Sequence, residues 1–238
     1  MRLHAVTFAL AGSLILFACG PAQTARFQIV ETTIAEIQAG ILSGALTSTQ
    51  VVELYLNRIK AYNGTCVDQP EGILGAITTI PRAGKVNALI TLNLRPTERL
   101  SREFDERRAR SMTDAADDDP AMPDALEVAA EQDAYCASTG TLIGPLHGVV
   151  MAIKDQFDTY DMRTTSGADA FYANDRPPRD ATFVQRLRDA GAIILAKANM
   201  GEYAAGGVTG VRSSFGGTNC NAYDTERDPG ASSGGSGN

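Results

Sequence analysis

Lys154 and the glycine-serine stretch at the end of the chain have the residue types to do chemistry together. Lys154 ends the apolar run Val149-Val150-Met151-Ala152-Ile153 and is followed by Asp155. The terminal stretch reads Gly230-Ala231-Ser232-Ser233-Gly234-Gly235-Ser236-Gly237-Asn238. Taking a lysine out of water disfavours its cation, lowers its pKa and leaves a neutral amine that can act as a base. Glycines let a backbone approach closely, so the terminal stretch could carry a serine hydroxyl up to that base. Each feature also has a plainer reading. A lysine after an apolar strand can simply leave the core for water, and Ser-Ser-Gly-Gly-Ser-Gly also describes a flexible linker. The stretch is not a Walker loop, because no lysine follows the glycines where that motif requires one.

The elements around these residues alternate. Val149 to Ile153 is a continuous apolar run that fits a buried strand. A polar loop follows, through Thr164-Thr165-Ser166-Gly167. Asp180 then stands where it would cap a helix carrying Phe183, Val184, Leu187 and Ala190, with Gly191 as its stop. Ala192 to Leu195 is a second apolar strand, leading into Ala196-Lys197-Ala198-Asn199. Strand, helix, strand predicts a βαβ unit and an α/β sheet, with Lys154 and Lys197 at strand ends, where such folds place functional groups.

Upstream, Thr33-Ile34-Ala35-Glu36 reads as a capping box and predicts a short helix stopping near Gly40 or Gly44. Thr47-Ser48-Thr49-Gln50 offers a second cap. Val52, Leu56 and Ile59 then recur at helical spacing as far as the turn signal Asn63-Gly64. Residues 64–85 read as loop and Val86 to Leu92 as a strand. Ser101 to Arg110 reads as a charged helix, and Asp114 to Pro123 as an exposed acidic loop, not a metal site. Asp124 caps a helix running to about Cys136.

Four ordered blocks resemble the amidase signature family. Gly144-Pro145-Leu146-His147-Gly148-Val149-Val150-Met151-Ala152-Ile153-Lys154-Asp155, with Thr164-Thr165-Ser166-Gly167 after it, is similar to that family's lysine motif. Ala196-Lys197-Ala198-Asn199-Met200-Gly201-Glu202 resembles its next block. Asn219-Cys220-Asn221, then Asp228-Pro229-Gly230-Ala231-Ser232-Ser233-Gly234-Gly235-Ser236, resembles its glycine-serine block, although Ala231 and Cys220-Asn221 depart mildly from the usual residues. The match runs from about Thr33 to the last residue.

The resemblance implies an α/β amidase signature fold, with a mixed central sheet flanked by helices, of which residues 33–238 would be about the first half. It implies hydrolysis of a carboxamide C–N bond by a serine, cis-serine, lysine triad and no cofactor. Lys154 matches the lysine, and Ser232 matches the bridging serine, whose peptide bond is cis in that family. Neutral Lys154 would take a proton from Ser232, which would take one from the nucleophilic serine as it attacks the amide carbonyl. Backbone N–H groups would hold the oxyanion. Neither Ser233 nor Ser236 occupies the nucleophile's place, which falls beyond Asn238. The polypeptide 1–238 is therefore expected to be inactive alone and, with half a sheet, to aggregate. His147 is read as structural, and Ser166, Ser213 and Ser214 as loop hydroxyls that shape the pocket. The alternatives are the amidase subunit of a tRNA-dependent amidotransferase, a cytoplasmic enzyme of the same family, and a non-catalytic binding protein derived from an amidase.

The first residues point to export. Met1-Arg2-Leu3-His4 is a short basic start, and Ala5 to Phe17 is an apolar run of signal-peptide length, short for a membrane span. Leu16-Phe17-Ala18-Cys19-Gly20 resembles a bacterial lipobox, so residues 1–19 are read as a leader, Cys19 as a lipidation site and residues 20–32 as a linker. Cleavage nearby with free secretion is the second reading, and a buried N-terminal helix the third. The chain is then periplasmic or membrane-anchored, touching the membrane only through Cys19. A lipidated Cys19 leaves Cys66, Cys136 and Cys220, an odd number. A Cys66–Cys136 bridge is open in an oxidising compartment, as are simple buried thiols. A net charge of −7 disfavours nucleic acid, and the absence of a CxxC pair or HExxH grouping gives no support for zinc. The expected partner is a small-molecule amide; its identity and the oligomeric state are not legible.

Overall fold

The computed structural model describes residues 27–104, 109–170, 175–205, 212–227, 229–230 and 232–237. The segment 1–19 expected to be a leader, with Cys19, and Ala231 lie outside them.

Helix α1 (Ile34–Leu42) and helix α2 (Ser48–Tyr62) both start with capping boxes. The Glu36 carboxylate accepts from the Thr33 N–H at 2.8 Å, and the Glu36 N–H donates back to Thr33 Oγ1 at 3.2 Å. Two orphan donors of the first turn are thereby satisfied within four residues of sequence. Two short strands, β1 (Val67–Asp68) and β2 (Thr78–Thr79), pair antiparallel inside the segment expected to be loop. Strand β3 (Leu89–Leu92) precedes helix α3 (Pro96–Ser101). Helix α4 (Ala125–Thr139) opens on the third capping box, at Asp124 and Glu127.

Strand β4 (Val150–Lys154), helix α5 (Thr182–Asp189) and strand β5 (Ile193–Ala198) form the expected βαβ unit, with β4 and β5 parallel. The sheet order is β3-β5-β4, with β3 antiparallel to β5, so the sheet is mixed. Central β5 is buried at every residue. Its side chains alternate between faces. Ile193 and Leu195 join Val52, Leu56, Leu92 and Ala129 under α2 and α4. Ile194 joins Ile153, Met162 and Val184 under α5. The result is helices on both faces of one sheet.

Several expectations are corrected. Strand β4 stands at the sheet's edge among the described residues, with Ala152 exposed, so its apolar run does not mark full burial. The charged helix expected over Ser101 to Arg110 instead ends at Ser101. Pro96 starts it by presetting φ at the first helical position, and Glu103 turns the chain out with φ +60°. Residues 105–108 lie outside the described set. Asp180 does not cap α5. Ala181 holds that position without a side-chain bond, while Asp180 accepts from the Tyr160 N–H and from Arg188. The acidic loop is not wholly exposed: Asp117 is 2% exposed and accepts from Nη2 and Nε of the fully buried Arg110 at 2.6 and 2.8 Å. The disulfide joins Cys66 to Cys220, and Cys136 is a free thiol.

Candidate active site

Lys154 is the last residue of β4, and its Nζ lies 3.1 Å from Ser232 Oγ, as donor to that hydroxyl. These residues are 78 apart in sequence, and the fold brings them into one hydrogen bond. The backbone fixes both ends. The carbonyl of Lys154 accepts from the Phe157 N–H at 3.0 Å, and the Asp155 N–H donates to Ala198 O at 3.1 Å. The carbonyl of Ser232 accepts from the Gly201 N–H at 3.1 Å, just before the four-residue helix α6 (Gly234–Gly237). Ser233 and Ser236 are exposed, and no described hydrogen bond joins either to Lys154. No cis peptide bond occurs among the described residues; the bond preceding Ser232 involves Ala231, which is outside them.

Behind Lys154 lies a pair that sequence reasoning did not assemble. Asp155 and Lys197 are both fully buried, with Nζ 3.8 Å from Oδ1. Lys197 donates to Phe157 O at 2.6 Å, Thr164 Oγ1 at 2.8 Å and Thr159 Oγ1 at 3.1 Å. Burial pulls its pKa down to about 8, against the pull of the Asp155 carboxylate. Burial likewise pushes the Asp155 carboxyl up, opposed by Lys197 and by hydrogen bonds from Thr165 and Gly167. The signal that could have found this pair is Lys197 itself. It sits inside an otherwise apolar strand and in register with Ile153, so a buried cation there demands a counter-charge from the neighbouring strand's end.

The loop 164–167 is built on Asp155. Asp155 Oδ2 accepts from the Thr165 N–H at 3.2 Å, the Gly167 N–H at 3.0 Å and the Thr165 hydroxyl. Gly167 has φ +75°, and a Cβ there would stand 2.8 Å from Met200 O, so this position requires glycine. Ser213 donates to Gly167 O at 2.6 Å and accepts from the Gly216 N–H, while Ser214 accepts from the Asp169 N–H. Ser166, at φ +51°, turns its carbonyl to the Tyr203 N–H at 2.8 Å. Ser213, Ser214 and the Ser166 backbone thus fasten the loops on the Ser232 side of the sheet.

His147 is buried and used structurally. Its Nδ1 accepts from the Ile143 N–H at 3.1 Å, which leaves Nε2–H facing Ser48 Oγ at 3.3 Å. Ser48 in turn donates to Gln132, whose amide accepts from the Gly148 N–H at 2.9 Å and donates to Gly191 O at 2.8 Å. Gly148 has φ +75°, and a Cβ there would meet Ile41 at 2.4 Å, which accounts for the glycine after His147. Among the described residues no group of three or more His, Cys, Asp or Glu side chains could hold a metal ion.

Residues 112–238 match the family model described as Amidase. The chain is 34% identical over 208 residues to a glutamyl-tRNA(Gln) amidotransferase subunit from Streptomyces coelicolor, covering 87% of this chain and 31% of that protein. It is 47% identical over 112 residues to the same-named subunit from Heliobacterium modesticaldum, covering 47% of this chain and 22% of that protein. Among solved structures, the native peptide amidase of Stenotrophomonas maltophilia superposes with a TM-score of 0.61 at 32% identity, covering 87% of this chain and 33% of that one. The chain thus spans a third or less of the length of these relatives.

Proposed function

The chain belongs to the amidase family, and from that membership we propose that it contributes the lysine and the bridging serine of an exported serine amidase. The observation that carries this reading is the 3.1 Å contact between Lys154 Nζ and Ser232 Oγ. In the proposed reaction, neutral Lys154 takes the Ser232 proton. Ser232 takes the proton of a nucleophilic serine that none of residues 1–238 matches. The serine oxygen adds to the amide carbonyl, the C–N bond breaks and the amine leaves protonated, and water then hydrolyses the ester. No step needs a cofactor, and the partner is a small-molecule carboxamide.

Export is supported by the leader and by the Cys66–Cys220 bond, since buried disulfides suit an oxidising compartment. Lipidation at Cys19 would anchor the protein by its N-terminus. Replacing it by Cys19→Ser is then expected to move the protein from the membrane pellet to the soluble fraction on cell fractionation; unchanged pelleting contradicts the anchor.

A second reading, amide transfer onto Glu-tRNA(Gln), is favoured by the names of the curated relatives and opposed by the disulfide and the leader. The test is ammonia release from a panel of small carboxamides by the full-length gene product and its Ser232→Ala variant, beside a Glu-tRNA(Gln) amidation assay. Simple amide hydrolysis that falls by about 10²–10⁴-fold in the variant supports the proposal. Transfer activity without free amide hydrolysis overturns it.

A further inference from the structure

We infer that Asp155, neutralised by Lys197, is a positioning residue that sets the distance between Lys154 and Ser232. The inference rests on the amidase reading of those two residues. Its support is a continuous set of bonds that starts at one buried carboxylate and reaches both partners.

On the lysine side, Asp155 is the residue that leaves β4 after Lys154. Its N–H is bonded to Ala198 O, and its carbonyl accepts from the Ser166 N–H at 3.2 Å. The backbone at Asp155 is therefore fixed on both sides, and with it the end of β4 that carries Lys154. On the serine side, its Oδ2 gathers the N–H groups of Thr165 and Gly167 and the Thr165 hydroxyl. The loop so held lies against residues 200–203. Ser166 O accepts from the Tyr203 N–H at 2.8 Å, and Gly167 fits under Met200 O only because it lacks a side chain. That same segment holds Ser232, through the Gly201 N–H to Ser232 O at 3.1 Å. The carboxylate is thus tied to the backbone of Lys154 and, through one loop, to the backbone of Ser232.

Lys197 completes the unit. A carboxylate as buried as Asp155 needs a counter-charge. Its Oδ1 makes no hydrogen bond and faces Lys197 Nζ at 3.8 Å. The three donations of Lys197, to Phe157, Thr159 and Thr164, also tie down both halves of the loop that runs from Asp155 to Gly167. The side-chain bonds of the pair go to that loop and not to Ser232, so the pair acts through the backbone it holds. Displacing a reacting pair by about 1 Å is enough to cost on the order of a hundredfold in turnover.

The test uses the full-length gene product and four variants: Lys154→Ala, Asp155→Asn, the double variant Asp155→Asn/Lys197→Met, and Thr165→Val. Removing one partner leaves the other charge buried and alone, so Asp155→Asn is expected to lower Tm, and the double variant to regain it. Turnover is expected to behave differently. In Asp155→Asn and in the double variant kcat falls about tenfold to a hundredfold with KM nearly unchanged, and Thr165→Val shows a smaller fall of the same kind. Amide hydrogen exchange supplies a readout without substrate: in Asp155→Asn, or in the double variant if the single one fails to fold, exchange quickens at Thr165, Gly167 and Gly201. Wild-type kcat in the double variant, or unchanged exchange at Gly201, overturns the inference. Wild-type turnover in Lys154→Ala instead defeats the amidase reading, and the exchange at Gly201 then decides alone whether Asp155 fixes Ser232.

Discussion

The ammonium of Lys197 is held by three neutral oxygens and one carboxylate, and the loss of water outweighs that attraction. Its pKa is pulled from 10.5 to about 8, so it remains mostly protonated at neutral pH. Below pH 8 both folded and unfolded chains carry this proton, and the penalty of burying the cation is present in full. Between 8 and 10.5 the folded chain releases the proton first, so the penalty fades and this group's contribution to stability rises with pH. The Lys197 Nζ resonance is expected to titrate near pH 8 by NMR, apart from the exposed lysines; a midpoint at the ordinary lysine value contradicts the burial. Lys197→Met alone is expected to destabilise by about 3–5 kcal/mol in denaturant unfolding, because it strands Asp155 as a buried lone charge. His147 has the same sign for the same reason. Burial holds its pKa below 6.5, so it is neutral in the fold, and stability falls as pH drops below 6.5 and the unfolded chain takes up the proton. At this scale family motifs single out Lys154 and Ser232, and the fold brings the two side chains within 3.1 Å. The Asp155–Lys197 pair does not show in a motif: Lys197 lies in β5 and Asp155 just after β4, and the register of those strands brings the charges together.

Elements were readable where the signal is local. The capping boxes at Thr33, Thr47 and Asp124 each complete themselves within four residues, and all three helices start where expected. The βαβ unit was readable because its apolar runs and amphipathic helix repeat at their own periods. Misreadings occurred where a tertiary partner captured a side chain that local rules assign elsewhere. Asp180 has the position of a helix cap, but its carboxylate faces Tyr160 and Arg188. Asp117 lies among acidic residues and prolines that look solvated, yet Arg110 and Arg176 draw it into the interior. Helix α4 shows how strongly such cross-element bonds can act. Gln132 ties it to the chain just before β4 and just before β5, through Gly148 and Gly191. Gln132→Ala leaves one N–H and one C=O buried without a partner. It is expected to cost about 2–5 kcal/mol in chemical denaturation; a change within experimental error would mean that neither group depends on Gln132.

At the scale of the molecule, Cys66 and Cys220 join two segments 154 residues apart. No spacing rule could have paired them, since any two of three thiols were admissible until the fold placed β1 beside the segment that leads to Ser232. The bond constrains the unfolded chain, so a reductant is expected to lower stability by about 2–4 kcal/mol; an unfolding midpoint indifferent to reductant would contradict it. The sheet and the loops meet at the end of β4, where Lys154 contacts Ser232. The most direct measurement is therefore the rate of amide hydrolysis by the full-length gene product with Lys154→Ala beside the wild type. A loss of about 10²–10⁴-fold with the fold intact by circular dichroism is the result expected of a lysine that moves the serine proton. Wild-type hydrolysis in that variant would contradict the account.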